Sequence, residues 1–339
     1  MKIFVTGNLG YVGTVLHQRL ENNNHIVTGC DINYFPKNWN NGLSNTDKTL
    51  RKDIRDITKE DLIGFDAICH LAGLSNDPMG EIDQSLTNEI NFLETVRIAK
   101  LAKEAGIKRF IFSSSCSTYG LNEDVVNESS EVVPQTAYAK SKVDSEIELL
   151  KLKDSTFAPI ILRNATVYGI SSNLRLDLVI NNLVGSAVST GKIKLLSDGT
   201  AWRPLLHVED MADAFIKCVE SPIEQVSGEI FNVGSNDDNV TVLQIAEKIL
   251  KIIPNSEIEI ANNSNKDSRS YKVNFDKIFQ KLGYKTKWNL DDGIKYIYEE
   301  MKNEKFSIDD FTNKKFFRLK YLIWLMEEKK IDKKLKIIN

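Results

Sequence analysis

Lys2-Ile3-Phe4-Val5-Thr6-Gly7-Asn8-Leu9-Gly10-Tyr11-Val12-Gly13 opens the chain. The first five of these residues read as a short buried strand. Val12, Val15, Leu16 and Leu20 then follow a helical period. Between strand and helix, Gly7 allows a tight turn and Gly10 lets the backbone approach a pyrophosphate. Gly13 lets the helix pack closely on the sheet. The helix N-terminus offers N–H groups and partial positive charge to phosphates. A second strand, Ile26–Asp31, ends in a carboxylate that can accept hydrogen bonds from the adenosine ribose hydroxyls. The same carboxylate would repel a 2′-phosphate, so the expected cofactor is NAD rather than NADP.

Strand and helix signals continue to alternate beyond this unit. Asp66–Gly73 reads as a strand entering a loop. Ile82, Leu86, Ile90, Leu93, Val96 and Leu101 mark a long helix that Gly106 can cap. Arg109–Phe112 is a strand running into Ser113-Ser114-Ser115. Tyr138–Leu150 is a helix, and Phe157–Arg163 one more strand. Apolar strands alternating with helices imply an α/β fold, a doubly wound parallel sheet with a smaller C-terminal substrate-binding part. We expect an NAD-binding domain over 1–170 and a substrate-binding part over 171–302, whose strands can return to the first sheet. A C-terminal helical extension should cover 303–339. Its aromatic residues, Phe306 to Trp324, should pack on the body or on a partner chain. Asn38–Asp47 and Asn262–Ser270 read as polar loops.

Charged residues make up 27% of the 339 and the net charge is −3, which gives no electrostatic case for nucleic acid. The lysines from Lys329 to Lys336 read as a solvated helix face. No apolar run reaches the ~18 residues of a membrane span, so no membrane is implied. The strand leads straight into the glycine turn, with no room for a signal peptide. Cys30, Cys69, Cys116 and Cys218 lack CxxC spacing. They fit reduced cytoplasmic thiols and no structural metal.

The chemistry is carried by Ser115 and by Tyr138-Ala139-Lys140-Ser141-Lys142. Tyr138 and Lys142 are four residues apart and share a helix face. A phenol of pKa about 10 is a poor base. A nearby ammonium and the positive charge of an oxidised nicotinamide would stabilise its phenolate. Tyr138 could then take a proton from a substrate hydroxyl as hydride leaves, with Ser115 holding the oxygen.

These pieces resemble an extended short-chain dehydrogenase/reductase, of the nucleotide-sugar epimerase/dehydratase family and similar to its UDP-glucose 4-epimerases. The matching stretches are TGNLGYVG (6–13), RKDIRD (51–56), HLAG (70–73), FSSSCSTYG (112–120), PQTAYAKSK (134–142), LRNATVYG (162–169) and DGTAWRPLLHVED (198–210). The resemblance implies a Rossmann fold, a nucleotide-diphosphate sugar as partner and a homodimer. That dimer would pair the long helix before Gly106 and the Tyr138 helix with their copies in a four-helix bundle. It assigns Ser115, Tyr138 and Lys142 to catalysis, and Asn91 to a position near the nicotinamide, either catalytic or a structural tie. It places Tyr11 and Val12 on the pyrophosphate, Asp53 and Ile54 beside the adenine, and Leu71, Ala72 and Gly73 along the cofactor. Arg203 and Arg269 match arginines that bind the substrate diphosphate. His207 reads as structural.

Departures from the family pattern narrow the reaction. Family dehydratases carry an acid pair just after the catalytic serine or threonine, where this chain has Cys116 and Ser117, so 4,6-dehydration is disfavoured. Asn76 and Asp77 either meet sugar hydroxyls or make a turn. Thr166 stands where some 4-epimerases have asparagine. The first expectation is an NAD-dependent 4-epimerase working through a transient 4-keto sugar. The alternatives are a C4 dehydrogenase or 4-ketoreductase, and a non-catalytic NAD-sensing protein.

Overall fold

The computed structural model describes residues 1–39, 48–80, 83–261 and 270–338. Its frame is a seven-stranded, all-parallel sheet of β1 (Lys2–Thr6), β2 (Ile26–Asp31), β3 (Thr49–Arg51), β4 (Ala67–His70), β5 (Arg109–Ser115), β6 (Ala158–Asn164) and β7 (Ile230–Val233). Their order across the sheet is β7-β6-β5-β4-β1-β2-β3. The strand order therefore switches sense between β1 and β4, where a parallel sheet opens a crevice beyond its strand ends. Register brings Thr6 opposite His70, and Ser115 opposite Asn164, at that edge. β7 comes from beyond residue 170, so part of the later sequence does return to the first sheet.

Why both faces are covered is visible in the strands. Val5, Cys69, Ile111 and Leu162 point into one core, with Leu16 of α1 (Tyr11–Asn22) and Phe215. Phe4, Ile68, Phe110 and Ile161 point into the other, with Ile98 and Leu149. Neighbours along each strand alternate between two apolar layers, which only a sheet covered on both sides can satisfy.

The long helix before Gly106 is built in three pieces: α2 (Gln84–Asn88), a π-turn (Glu89–Leu93) and α3 (Glu94–Glu104). Gly106 follows with φ +83° and ends it. The tyrosine helix is α4 (Ala137–Lys151), capped by Thr136, whose hydroxyl accepts from Ala139 N. A third core holds Leu174, Leu176 and Ile180 with Phe306 and Phe316 of the C-terminal extension.

The extension packs on the body. Leu322 and Leu325 of its main helix, numbered α5 here (Arg318–Glu327), and then Ile331 and Leu335 all join the second core. Two expectations need correction. The final lysines are not a helix face, because α5 stops at Glu327 and the chain closes a hook through an Ile331–Ile337 bridge. The stretch beginning at Asn38 is not simply a surface loop. Trp39 is buried against Phe306 and Phe316, and the indole outweighs its polar neighbours. Residues 40–47 and 262–269 lie outside the described residues. No described helix is long and apolar enough to cross a membrane.

One buried ion pair ties α4 to the sheet. Arg163 of β6 sends Nη2 to Glu146 Oε2 at 2.6 Å, with side chains only 5% and 3% exposed. Its Nε lies 3.1 Å from both Glu146 oxygens, and its Nη1 reaches Tyr119 Oη at 3.0 Å. Ser114 Oγ of β5 also bonds Glu146. Removing one partner of such a pair strands a charge in low dielectric. Glu146→Ala should therefore lose ~3–5 kcal/mol of stability, read by urea unfolding. A double Glu146→Met, Arg163→Met variant should recover most of that loss.

Candidate active site

A cavity of about 890 Å³ runs along the carboxyl edge of the sheet, lined by Gly7, Gly10, Tyr11, Val12, Gly13, Asp31, Asp53, Ile54, Leu71, Ala72 and Gly73, and by Asn76, Ser115, Tyr138, Lys142, Thr166 and Arg203. The fold thus gathers around one cavity residues singled out at widely separated points of the sequence, from Gly7 to Arg203. Arg269 lies outside the described residues. Asn91 does not line the cavity. Its side chain accepts from Leu74 N at 2.7 Å and donates to Leu74 O at 3.0 Å. It ties the π-turn to the loop after β4. His207 caps the helix Val208–Glu220 and stacks on Trp288 at 4.1 Å, a structural place as expected.

The glycine turn fits a dinucleotide on its own geometry. Gly7 has φ +74°, and a Cβ there would stand 2.8 Å from Ala72 N. A Cβ on Gly13 would sit 1.9 Å from Gly7 O, so no larger residue fits. The helix α1 starts at Gly10 with no side-chain cap and no acid in its first turn, which leaves its end open to an anion. Asp31 accepts from Leu9 N at 3.1 Å and Asn33 N at 2.7 Å. Burial raises its pKa, and those two amides oppose the rise. Asp53 is engaged within the protein: Arg55 Nη2 lies 2.7 Å and Lys336 Nζ 3.0 Å from Oδ2.

Tyr138, Ser115 and Lys142 meet where β5 ends and α4 begins. The Ser115 hydroxyl accepts from Ser117 N at 3.1 Å and lines the cavity together with the Tyr138 phenol. Lys142 Nζ donates to Ser113 O at 2.8 Å and lies 5.6 Å from the Tyr138 ring centre. Burial, then Asp77, push the phenol up to about 12, opposed by Ser115 and Arg175. Burial pushes Lys142 down to about 8, opposed by Glu146. The protein alone therefore holds a charged lysine at neutral pH beside a protonated phenol. A positive group seated against them is what would draw the phenol toward neutrality.

Beside Tyr138 the structure adds residues that sequence reasoning missed. Arg175 grips Asp177 through Nε at 2.8 Å and Nη2 at 3.0 Å, and its Nη1 donates to Ser75 Oγ at 2.9 Å. Asn76 Nδ2 donates to Asp177 Oδ2 at 3.1 Å, and Asp77 accepts from Thr136 Oγ1 at 2.5 Å. The signal was present in Leu174-Arg175-Leu176-Asp177-Leu178, two opposite charges in an apolar run. Tyr11 Oη donates to Gly169 O at 2.7 Å, and Asn173 Nδ2 to Leu9 O at 2.8 Å. These bonds sew the segment 169–177 onto the glycine turn. Cys116 is buried, with Sγ 3.2 Å from Arg163 O. Ser117 Oγ is buried without a hydrogen-bond partner and Ser117 lines the cavity.

Residues 3–234 match the model of the "NAD dependent epimerase/dehydratase family". Among similar proteins is UDP-glucuronic acid decarboxylase 3 of Arabidopsis thaliana, 26% identical, covering 89% of this chain and 89% of the relative. Another is UDP-glucose 4-epimerase of Corynebacterium glutamicum, 27% identical, covering 84% and 90%. Among solved structures, the NAD dependent NDP-hexosamine 5,6-dehydratase TunA, involved in tunicamycin biosynthesis, superposes with TM-score 0.80 at 20% identity, covering 89% of this chain and 98% of its own.

The lysine yields a prediction that needs no substrate. Its charged form is disfavoured in the fold, so between about 8 and the ordinary lysine value of 10.5 the unfolded chain binds more protons. Stability contributed at this site therefore rises with pH across that window. Lys142→Met should unfold at a higher temperature than the natural protein at pH 7, with the gap closing toward pH 10. Calorimetric melts of both proteins from pH 7 to 10 check it.

Proposed function

Because the chain belongs to the NAD dependent epimerase/dehydratase family, we propose that its reaction is inversion at C4 of a nucleotide-diphosphate sugar through a transient 4-keto sugar. The observation that carries this reading is the Ser115–Tyr138–Lys142 group at the cavity wall, with Cys116 and Ser117 following Ser115 in place of acids. NAD, when bound, supplies the site that accepts hydride from the sugar and gives it back. The remaining work belongs to the chain. Tyr138 removes the C4 hydroxyl proton and later returns it. Ser115 holds the oxygen in line with the phenol, and Lys142 keeps a positive charge against it. Thr166 and Arg203 line the same cavity and face the substrate in this reading, Arg203 offering a guanidinium to its diphosphate. Asn76 fixes the loop beside them.

The carboxylates near Tyr138 support chemistry confined to C4. Asp177 is held by Arg175, which with burial opposing keeps it below the ordinary range. Asp77 is engaged by Thr136. Neither stands in for the missing pair at Cys116 and Ser117. The same reading extends to a homodimer built on the helical run 84–104 and α4, where Leu93 and Ile147 stay 50% and 49% exposed. Free, buried cysteines fit a reducing, cytoplasmic setting.

The test follows the sugar and the nicotinamide together. Purified protein with UDP-hexoses and no added cofactor should invert C4 by NMR without net change in nicotinamide absorbance. Tyr138→Phe should bind NAD as before and turn over at least ~10²-fold more slowly. Dependence on added oxidant or reductant would replace the epimerase with a net C4 dehydrogenase or ketoreductase. A 4-keto-6-deoxy product would show dehydration despite Cys116 and Ser117. Loss of carbon dioxide from a UDP-hexuronic acid would show decarboxylation, since a 4-keto uronic acid is a β-keto acid.

A further inference from the structure

Arg318 opens α5, 316 residues from the start of β1, yet it lines the same cavity as the glycine turn. The side chain is 2% exposed. Its Nη2 donates to Asn173 Oδ1 at 2.7 Å and Asn173 O at 3.1 Å. Asn173 in turn holds Leu9 O of the glycine turn and, at 3.1 Å, Phe35 O. The guanidinium lies 4.1 Å from the centre of the Phe35 ring. Its Nη1 is buried with no hydrogen-bond partner. A buried guanidinium with a free donor is costly unless an acceptor arrives. Burial and nearby Arg175 push Arg318 down to about 9, opposed by Asp177 and Asp31. An added anion would relieve that strain on the charged form.

The rest of the extension closes on the same end of the cavity. Phe317, Leu322 and Leu335 line it. Tyr34 Oη donates to Leu335 O, and Arg55 Nη1 donates to Lys334 O at 2.8 Å. Lys336 Nζ reaches Asp53 Oδ2 at 3.0 Å and Asp56 Oδ1 at 3.2 Å. Two independent features thus belong to residues that line the cavity with Asp31: the uncapped end of α1 and the buried, unpartnered Nη1 of Arg318.

We propose that residues 317–338 form a clasp over the adenosine half of the dinucleotide, with Arg318 donating through Nη1 to its diphosphate. Asn173 aims the guanidinium by occupying Nη2. The hook at Lys334–Lys336 holds the clasp shut on the second and third strands' side. A dinucleotide held this way leaves slowly, because exit needs the hook's bonds to Tyr34, Arg55 and Asp53 to open first. The inference concerns cofactor retention and stands whichever reaction at C4 the enzyme performs.

Calorimetry on protein stripped of nucleotide tests it. ADP-ribose carries the diphosphate and adenosine does not. Arg318→Gln should weaken ADP-ribose and NAD by ~10-fold or more and leave adenosine unchanged. Arg318→Lys should recover part of the loss. Equal weakening of adenosine and ADP-ribose would mean a purely structural arginine and overturn the proposal, as would no weakening of either. If Arg318→Gln does not fold, the far end of the clasp is tested with Tyr34→Phe, Lys336→Ala. That double variant should release NAD severalfold faster in stopped-flow fluorescence. An unchanged release rate would reject the clasp.

Discussion

The Glu146–Arg163 pair is the constraint on which the rest of the site hangs. It is one turn along α4 from Lys142 and reaches both strands that end at the cavity, β6 through Arg163 and β5 through Ser114. Tyr138 and Ser115 come from different elements, a helix and a strand. They stay side by side at the cavity wall only if helix and strand cannot slide. A hydrophobic contact would hold the two together without fixing their register, because it has no direction. A bidentate, buried ion pair has one geometry. The same carboxylate opposes the loss of charge on Lys142. One residue therefore bears on both the position of α4 and the charge of Lys142.

The edge of the sheet does the gathering. Thr6 shows how short the supporting chain is. Its hydroxyl lies 2.8 Å from His70 Nδ1 and also accepts from Leu71 N at 3.2 Å, while His70 Nε2 lies 2.9 Å from Thr95 Oγ1. Burial, with Lys142 nearby, pushes this imidazole down to about 3, so it stays neutral and can donate on one side and accept on the other. Strand β1, strand β4 and helix α3 are locked at the height of the cavity by three small polar groups. None of these contacts is catalytic, yet they decide where Leu71 to Gly73 lie.

Much of this was legible in the sequence because it obeys local rules. The strand–glycine–helix unit, the alternating apolar strands and the i, i+4 placement of Tyr138 and Lys142 each fit within a short window. What escaped notice is long-range. Arg175 and Asp177 look like two isolated charges until folding brings Ser75 and Asn76 beside them. For Asn91 the sequence left a catalytic place and a structural tie both open, and only the fold brings the Leu74 backbone to its amide. Asn38 and Trp39 sit at the start of a polar stretch, and only the packed extension explains the buried indole. The lysines near the C-terminus have a helical composition, but the last of them, Lys336, pairs with Asp53 and Asp56, far back in the chain.

The bond from Tyr34 to Leu335 spans 301 residues. A chain emerging from the ribosome presents the glycine turn well before the hook. Loop closure over that separation must be met before its contacts return any stability, and such non-local pairings form slowly. The nucleotide cavity is thus among the earliest parts of the protein to be written and among the last to be finished. While the chain is still being made, the two apolar layers of the sheet and the floor of the cavity stand exposed, the condition under which nascent domains meet chaperones.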